Sequence, residues 1–248
     1  MEVTGYDAST QTYTVWVRAT ADNSSSNNWS TNIARLKYTV TGNTSVTPTA
    51  ITITNLEGAI GQTDGSNRTA VSVAENDNRI CFCTRLGSAT GNWYYIVYSL
   101  SDLNNVLDTK QNGTSHTLSS LNLTIKSTFS LTGSGLPNNS FQAIDNDGVG
   151  SGNKYLYISG GKVNEDGIID QYLYTNGGNV SKNVTYIFHT TTIPTGLCDD
   201  IDFLRGAEIE GIKIYTVSGT DYMYIMFRKN ATDKEARVYS YPIIYPTT

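Results

Sequence analysis

Glu208 and Glu210 lie two residues apart among β-branched neighbours, in Glu208-Ile209-Glu210-Gly211-Ile212, so on a strand both carboxylates face one way. If that strand is the innermost of its sheet, the two groups share one environment, where they either contact a ligand or tie neighbouring sheets together. Gln142 holds a comparable position earlier in the chain, and Glu2 a similar one near its start. A glycosidase needs only two carboxylates brought together from distant positions. Glu208, Glu210 and Asp145 therefore define one enzymatic option, glycan cleavage.

Two further segments are rich in side-chain oxygens. Asp145-Asn146-Asp147-Gly148 has the closely spaced ligands that suit calcium, but lacks the later glutamate of a full EF-hand loop. The same residues make an ordinary hairpin turn with glycine at positive φ, and the turn is the favoured reading. Cys198-Asp199-Asp200-Ile201-Asp202 reads as a solvated acidic loop, with a cation site as the sharper option. No cofactor is expected, and Ca2+ is the one ion left open. The two histidines, His116 and His189, sit in no metal-binding or Ser-His-Asp pattern, and no G-x-S-x-G elbow or phosphate-cradling glycine loop is present. Cys81 and Cys83 are two apart on a strand, a spacing poor for a disulfide, and read as free thiols packed as small hydrophobes.

The formal net charge of −5 and the absence of a basic stripe argue against a nucleic-acid partner. No apolar run approaches the ~20 residues that span a bilayer. The amino terminus shows neither the basic nor the apolar region of a signal peptide, so export would need another route or a leader outside this sequence. Tyrosine outnumbers phenylalanine, 17 to 6, and a ring with a polar tip serves both sheet packing and sugar binding. Trp29 is the more suggestive aromatic, because it stands in a loop of Asn and Ser.

The elements that must position these residues repeat as a triplet of strands. Phe141 to Asp147, Lys154 to Ser159 and Ile169 to Tyr174 form one copy. Thr69 to Glu75, Arg79 to Thr84 and Trp93 to Tyr98 form another, and Glu208 to Ile212, Tyr222 to Phe227 and Ala236 to Tyr241 a third. An abbreviated copy opens the chain with Glu2 to Thr4, Tyr13 to Arg18 and Ile33 to Tyr38. Fourth, outer strands are expected at Ala50–Thr54, Leu123–Lys126 and Val184–Phe188. One short helix, Ser101–Asp108 with Ser101 as its cap, is expected as a connector. A unit of three or four short strands cannot bury both faces alone, so the repeat predicts an all-β propeller of four to five blades. The 248 residues would form a single domain with units of about 1–58, 59–132, 133–195 and 196–248. A two-sheet sandwich is the alternative, but it gives no reason for a repeated triplet.

The segment Asn28-Trp29-Ser30-Thr31-Asn32-Ile33-Ala34-Arg35-Leu36-Lys37-Tyr38 resembles the Asn-Trp-Ala-Thr-Gln-Ile-Ala-Arg-type segment of helveticin J-like proteins, large bacteriocins of lactic acid bacteria. Arg68 to Glu75, Gln142-Ala143-Ile144-Asp145, Tyr157-Ile158-Ser159 and Glu208 to Ile212 are similar to the family's later units. Family members carry a further unit upstream, so the resemblance places the start of this chain inside their second blade. The propeller of that family is shared with receptor-binding tail proteins of phages that attack Gram-positive bacteria. The resemblance implies a secreted, non-enzymatic bacteriocin that binds the envelope of Gram-positive competitors, and brings no catalytic residues with it. The alternative is a phage tail adhesin recognising teichoic acid or another surface glycan. In either case the partner is a cell-wall glycopolymer or surface glycan, with Trp29, Arg35, Arg68, Gln142, Asp145, Glu208 and Glu210 as the candidate binding residues.

Overall fold

The computed structural model describes residues 1–21, 29–40, 48–74, 77–87, 91–147, 154–174, 180–188, 201–204, 206–229 and 235–243. Each of four sheets is built around three or four consecutive strands, and the sheets fall two by two into compact units comprising residues 1–132 with 175–179, and 133–174 with 180–248. In the first unit, sheet 1 runs β1 (Glu2–Asp7), β2 (Thr12–Ala21), β3 (Ser30–Thr39), β4 (Thr49–Thr54). Sheet 2 begins β5 (Ser66–Ala74), β6 (Arg79–Leu86), β7 (Trp93–Ser99). The chain then forms helix α1 (Leu100–Asp108), returns to sheet 1 as β8 (Ser115–Thr117) parallel to β4, and completes sheet 2 with β9 (Ser127–Leu131).

In the second unit, sheet 3 is β10 (Ala143–Asp147), β11 (Lys154–Gly160), β12 (Gly167–Tyr174), β13 (Val180–Phe188). After a short helix α2 (Ile201–Leu204), sheet 4 is β14 (Glu208–Val217), β15 (Thr220–Lys229), β16 (Glu235–Pro242). Apart from the parallel β4–β8 pair, the strand pairs are antiparallel. This is an all-β fold of the propeller class with four blade sheets, each built around the triplet read in the sequence.

The alternation of β-branched and aromatic residues explains the packing. In unit 1, Trp16, Ile33, Ile51 and Ile53 of sheet 1 meet Val71, Val73, Phe82 and Ile96 of sheet 2, and Leu103 and Leu107 of α1 close one side. Trp16 and Phe82 touch edge to face, with ring centroids 6.1 Å apart. In unit 2, Tyr157 and Ile169 of sheet 3 share a core with Ile209, Ile212, Ile225 and Phe227 of sheet 4. Burying one such side chain stabilises by roughly 1.5–3 kcal/mol, so each pair of sheets is held together chiefly by its shared core.

Three expectations are corrected. Leu123–Lys126 is not a strand: Leu121, Leu123 and Ile125 point their alternating apolar groups into the unit 1 core, and the outer strand starts four residues later than expected, at Ser127. Helix α1 is capped by Ser99 rather than Ser101, its hydroxyl accepting from the Asp102 amide at 3.2 Å, while the Ser101 amide donates to the Asn78 side chain at 2.7 Å. Asp145 and Asn146 belong to β10, not to a turn, and Gly148 lies outside the described residues. Cys81 and Cys83 are buried free thiols, as their spacing implied.

Sheet 3 depends on a close approach at Gly160. A Cβ there would lie 1.9 Å from the Pro137 carbonyl oxygen and 2.6 Å from that of Ser140, both backbone atoms that cannot swing away. Gly160→Ala is expected to destabilise unit 2 by about 3 kcal/mol. Gly65, with open space around its Cβ position, is the control. Urea unfolding followed by far-UV circular dichroism should show a clear loss of midpoint for the first and almost none for Gly65→Ala.

Candidate functional site

The structure divides the candidate residues among four places. Trp29 and Arg68 come together in unit 1: the guanidinium carbon of Arg68 lies 3.3 Å from the centroid of the Trp29 ring. Strand register builds the rest of this patch. Arg68 on β5 pairs with Arg85 on β6, and Arg85 with Trp93 on β7, so the three form one row across sheet 2. The guanidinium carbons of Arg68 and Arg85 stand 5.4 and 5.6 Å from the Trp93 ring centroid. A β-bulge between Ser66 and Arg68 makes Asn67 the extra residue, and its carbonyl oxygen accepts from Arg85 Nε at 2.8 Å while its amide donates to the Gly87 carbonyl. Burial lowers the pKa of Arg85, which stays charged all the same.

Arg35 sits elsewhere in unit 1, almost wholly buried. It donates to Asp108 at 2.7 Å and, through Nη1, to the Asn104 side chain at 3.0 Å and backbone at 3.2 Å. Both partners are on α1, so Arg35 fastens the helix to sheet 1. Partial burial raises the Asp108 carboxyl, and Lys37 and Arg35 more than reverse it, leaving it below the usual carboxylate range.

In unit 2, the carboxylate of Asp145, fully buried on β10, accepts the backbone amide of Ile214 at 2.5 Å and Lys213 Nζ at 3.2 Å. Both donors are on β14, so Asp145 joins sheet 3 to sheet 4. Gln142 donates to the Gly161 carbonyl at 3.0 Å. With its oxygens so engaged, Asp145 has no calcium-loop geometry. Among the described residues no group of three or more His, Cys, Asp or Glu could hold a metal ion. Cys198–Asp200 and the side chain of Asp202 lie outside the described residues.

Glu208 and Glu210 are together, as their spacing predicts, and a bulge between Ile209 and Gly211 makes Glu210 the extra residue. Glu208 is hydrogen-bonded to Glu210 and accepts the Val163 amide, while Arg228 Nη1 lies 3.3 Å from Glu210 Oε1. Two carboxyls in direct contact lack the roughly 5 Å or more that flanks a scissile glycosidic bond, so this pair is not built as a glycosidase pair. Sequence reasoning missed Arg85, Trp93 and Asn67. Their signal was the hairpin register, which sets 85 opposite 93 once the β6–β7 turn is placed.

Partial desolvation, then the charge and hydrogen bond of Glu210, raise the Glu208 pKa, with Arg228 and the Val163 amide opposing. Its folded value therefore lies above the unfolded value of about 4.3. The resulting stability is fully present below that unfolded value and is lost as pH rises through the folded one. Glu208→Gln keeps a hydrogen-bonding neutral group and removes the titration. The stability difference between wild type and Glu208→Gln, measured by urea unfolding at several pH values, should shift in favour of the wild type as pH falls from about 7 to about 4.

Comparison with known proteins supplies the family. A solved structure, the tail fiber of Staphylococcus aureus phage P68, is similar over 95% of this chain and 48% of its own length, at 15% identity and a TM-score of 0.41. The chain thus spans about half of that protein. No curated protein matches. Among the described residues, no helix is long and apolar enough to cross a membrane. The family profile described as bacteriocin helveticin-J matches residues 3–186, a range that holds sheets 1 and 2, most of sheet 3 and the Trp29, Arg68, Arg85 and Trp93 patch. The chain belongs to the helveticin-J bacteriocin family.

Proposed function

We propose that this protein acts outside the cell that makes it, as a bacteriocin that binds the envelope of Gram-positive competitors and inhibits them without catalysing a reaction. The family match over residues 3–186 carries the proposal. Several properties of the chain support it. An overall charge of −5 disfavours binding to nucleic acid in general, while unit 1 carries the half-buried Trp29 and Arg85 beside the buried Arg68 and Trp93. Among the other candidate residues, Arg35 contacts α1, Asp145 bonds across two sheets, Gln142 donates to the Gly161 carbonyl, and Glu208 is hydrogen-bonded to Glu210.

The test pairs binding with killing. Purified protein is sedimented with cell walls from several lactobacilli and staphylococci, and the same strains are counted for viable cells after exposure. Walls of at least one strain should carry the protein down, and that strain should lose viability. Sedimentation with no loss of viability in any strain would make the protein an adhesin and end the bacteriocin reading. Failure to sediment with any wall would end envelope binding altogether.

A further inference from the structure

We propose that strand β16 is an interface on which a second copy of this chain docks, the two β16 strands pairing antiparallel into one continuous sheet. The proposal goes beyond the envelope-binding reading and does not depend on it. Its first support is the repeat. In sheets 1, 2 and 3 the third strand carries a fourth as its antiparallel outer neighbour: β4 on β3, β9 on β7 and β13 on β12. Sheet 4, among the described residues, stops at β16. Apart from the half-buried Arg237 and Tyr239, the side chains of β16 are exposed.

The second support is the main chain that this edge presents. The Ile243 amide donates to the Asp221 carbonyl at 2.8 Å, which makes 221 and 243 a hydrogen-bonded pair, and in antiparallel strands such pairs recur at every second residue. Glu235, Arg237, Tyr239 and Tyr241 therefore turn their main chain toward β15, while Ala236, Val238, Ser240 and Pro242 turn theirs outward. Proline has no amide to give, and the outer side of an edge strand is where sheets tolerate it. Ala236, Val238 and Ser240 present N–H and C=O groups alternately along the edge, the template on which another strand pairs.

The sequence of β16 selects the partner and the register. Outward positions must meet outward positions, and three such registers keep most of the strand paired. Centring on Arg237 sets that cation opposite its own copy, which is destabilising. Centring on Tyr239 sets Pro242 opposite Ala236, and the ladder loses a donor. Centring on Val238 avoids both: Val238 meets Val238 of the second copy, Ala236 meets Ser240, and Arg237 meets Tyr239. The charges of the strand are matched within each copy, since Arg237 lies 2.5 Å from Glu235. Val238 is 62% exposed and its cross-strand neighbour Met226 38% exposed. In the paired sheet these become one apolar row that crosses the two-fold axis, an isologous contact of the kind that closes dimers.

Analytical ultracentrifugation of the purified chain tests the proposal. One strand pair is a small interface, so a monomer–dimer equilibrium is expected between roughly 1 and 300 μM. Val238→Pro removes an outward N–H and spares the bonds to β15, and Val238→Lys places two like charges on the axis. Each should raise the dissociation constant at least about tenfold, and the lysine variant covers the case in which the proline variant folds poorly. Register is read separately, in a Cys198→Ser background with oxidised glutathione. Val238→Cys should yield a disulfide-linked dimer, because facing residues of a hydrogen-bonded pair stand about 5.5 Å apart. Ser240→Cys should not, because it faces Ala236 of the second copy. A chain that stays monomeric throughout this range, a dimer that the folded Val238 variants leave unchanged, or equal cross-linking through Ser240→Cys would each overturn the proposal.

Discussion

A short β-sheet with two apolar faces must be covered by a neighbour, and everything else in each unit depends on how that neighbour is locked in place. Apolar alternation and turn geometry set the register of each strand. Buried polar side chains add directional bonds between neighbouring sheets. In unit 1 the fully buried Thr69 of β5 lies 3.2 Å from the carbonyl oxygens of both Ser30 and Asn32 on β3, and 3.0 Å from the Ser30 hydroxyl. In unit 2 Asp145 of β10 takes the Ile214 amide of β14. A charge-assisted bond of this kind in a dry site is strong, and a misregistered sheet would leave the carboxylate buried without its donor.

The same constraint explains the contacts that most of the candidate residues make. Polar groups near the inner strands were conspicuous in sequence because they interrupt apolar alternation. Asp145 and Glu208 interrupt it for the sake of neighbouring backbone, accepting Ile214 and Val163 amides. Arg35 does so to hold a helix. The Trp29, Arg68, Arg85 and Trp93 cluster differs in kind, because it sets two arginines opposite each other across a strand pair with indoles beside them.

The strand triplets were legible because β-branched and aromatic runs alternate between turn-rich segments, and the family segment around Trp29 could be read directly. What escaped has physical causes. A bulge adds one residue to one strand, as at Asn67 and Glu210, and a period of two cannot reveal an extra residue whose effect is on pairing. Asp145-Asn146-Asp147-Gly148 has the composition of a turn, but the amide that draws Asp145 into a strand is 69 residues away. Leu121, Leu123 and Ile125 alternate like a strand because a short 3-10 turn and the segment after it both send their apolar side chains into the core. The patch itself needed two strand registers at once before its residues met.

The bond between Asp145 and Ile214 also bears on how such sheets can diverge. One partner is a side chain and the other is main chain, which every residue except proline supplies. Position 145 is thereby constrained to an acceptor, while position 214 is constrained by its packing alone. Substitutions at the two positions should drift without correlation, so the junction leaves little covariation to find although it is among the most buried polar contacts in the unit. Blade sheets joined in this way can exchange sequence on one side of the seam without a matching change on the other.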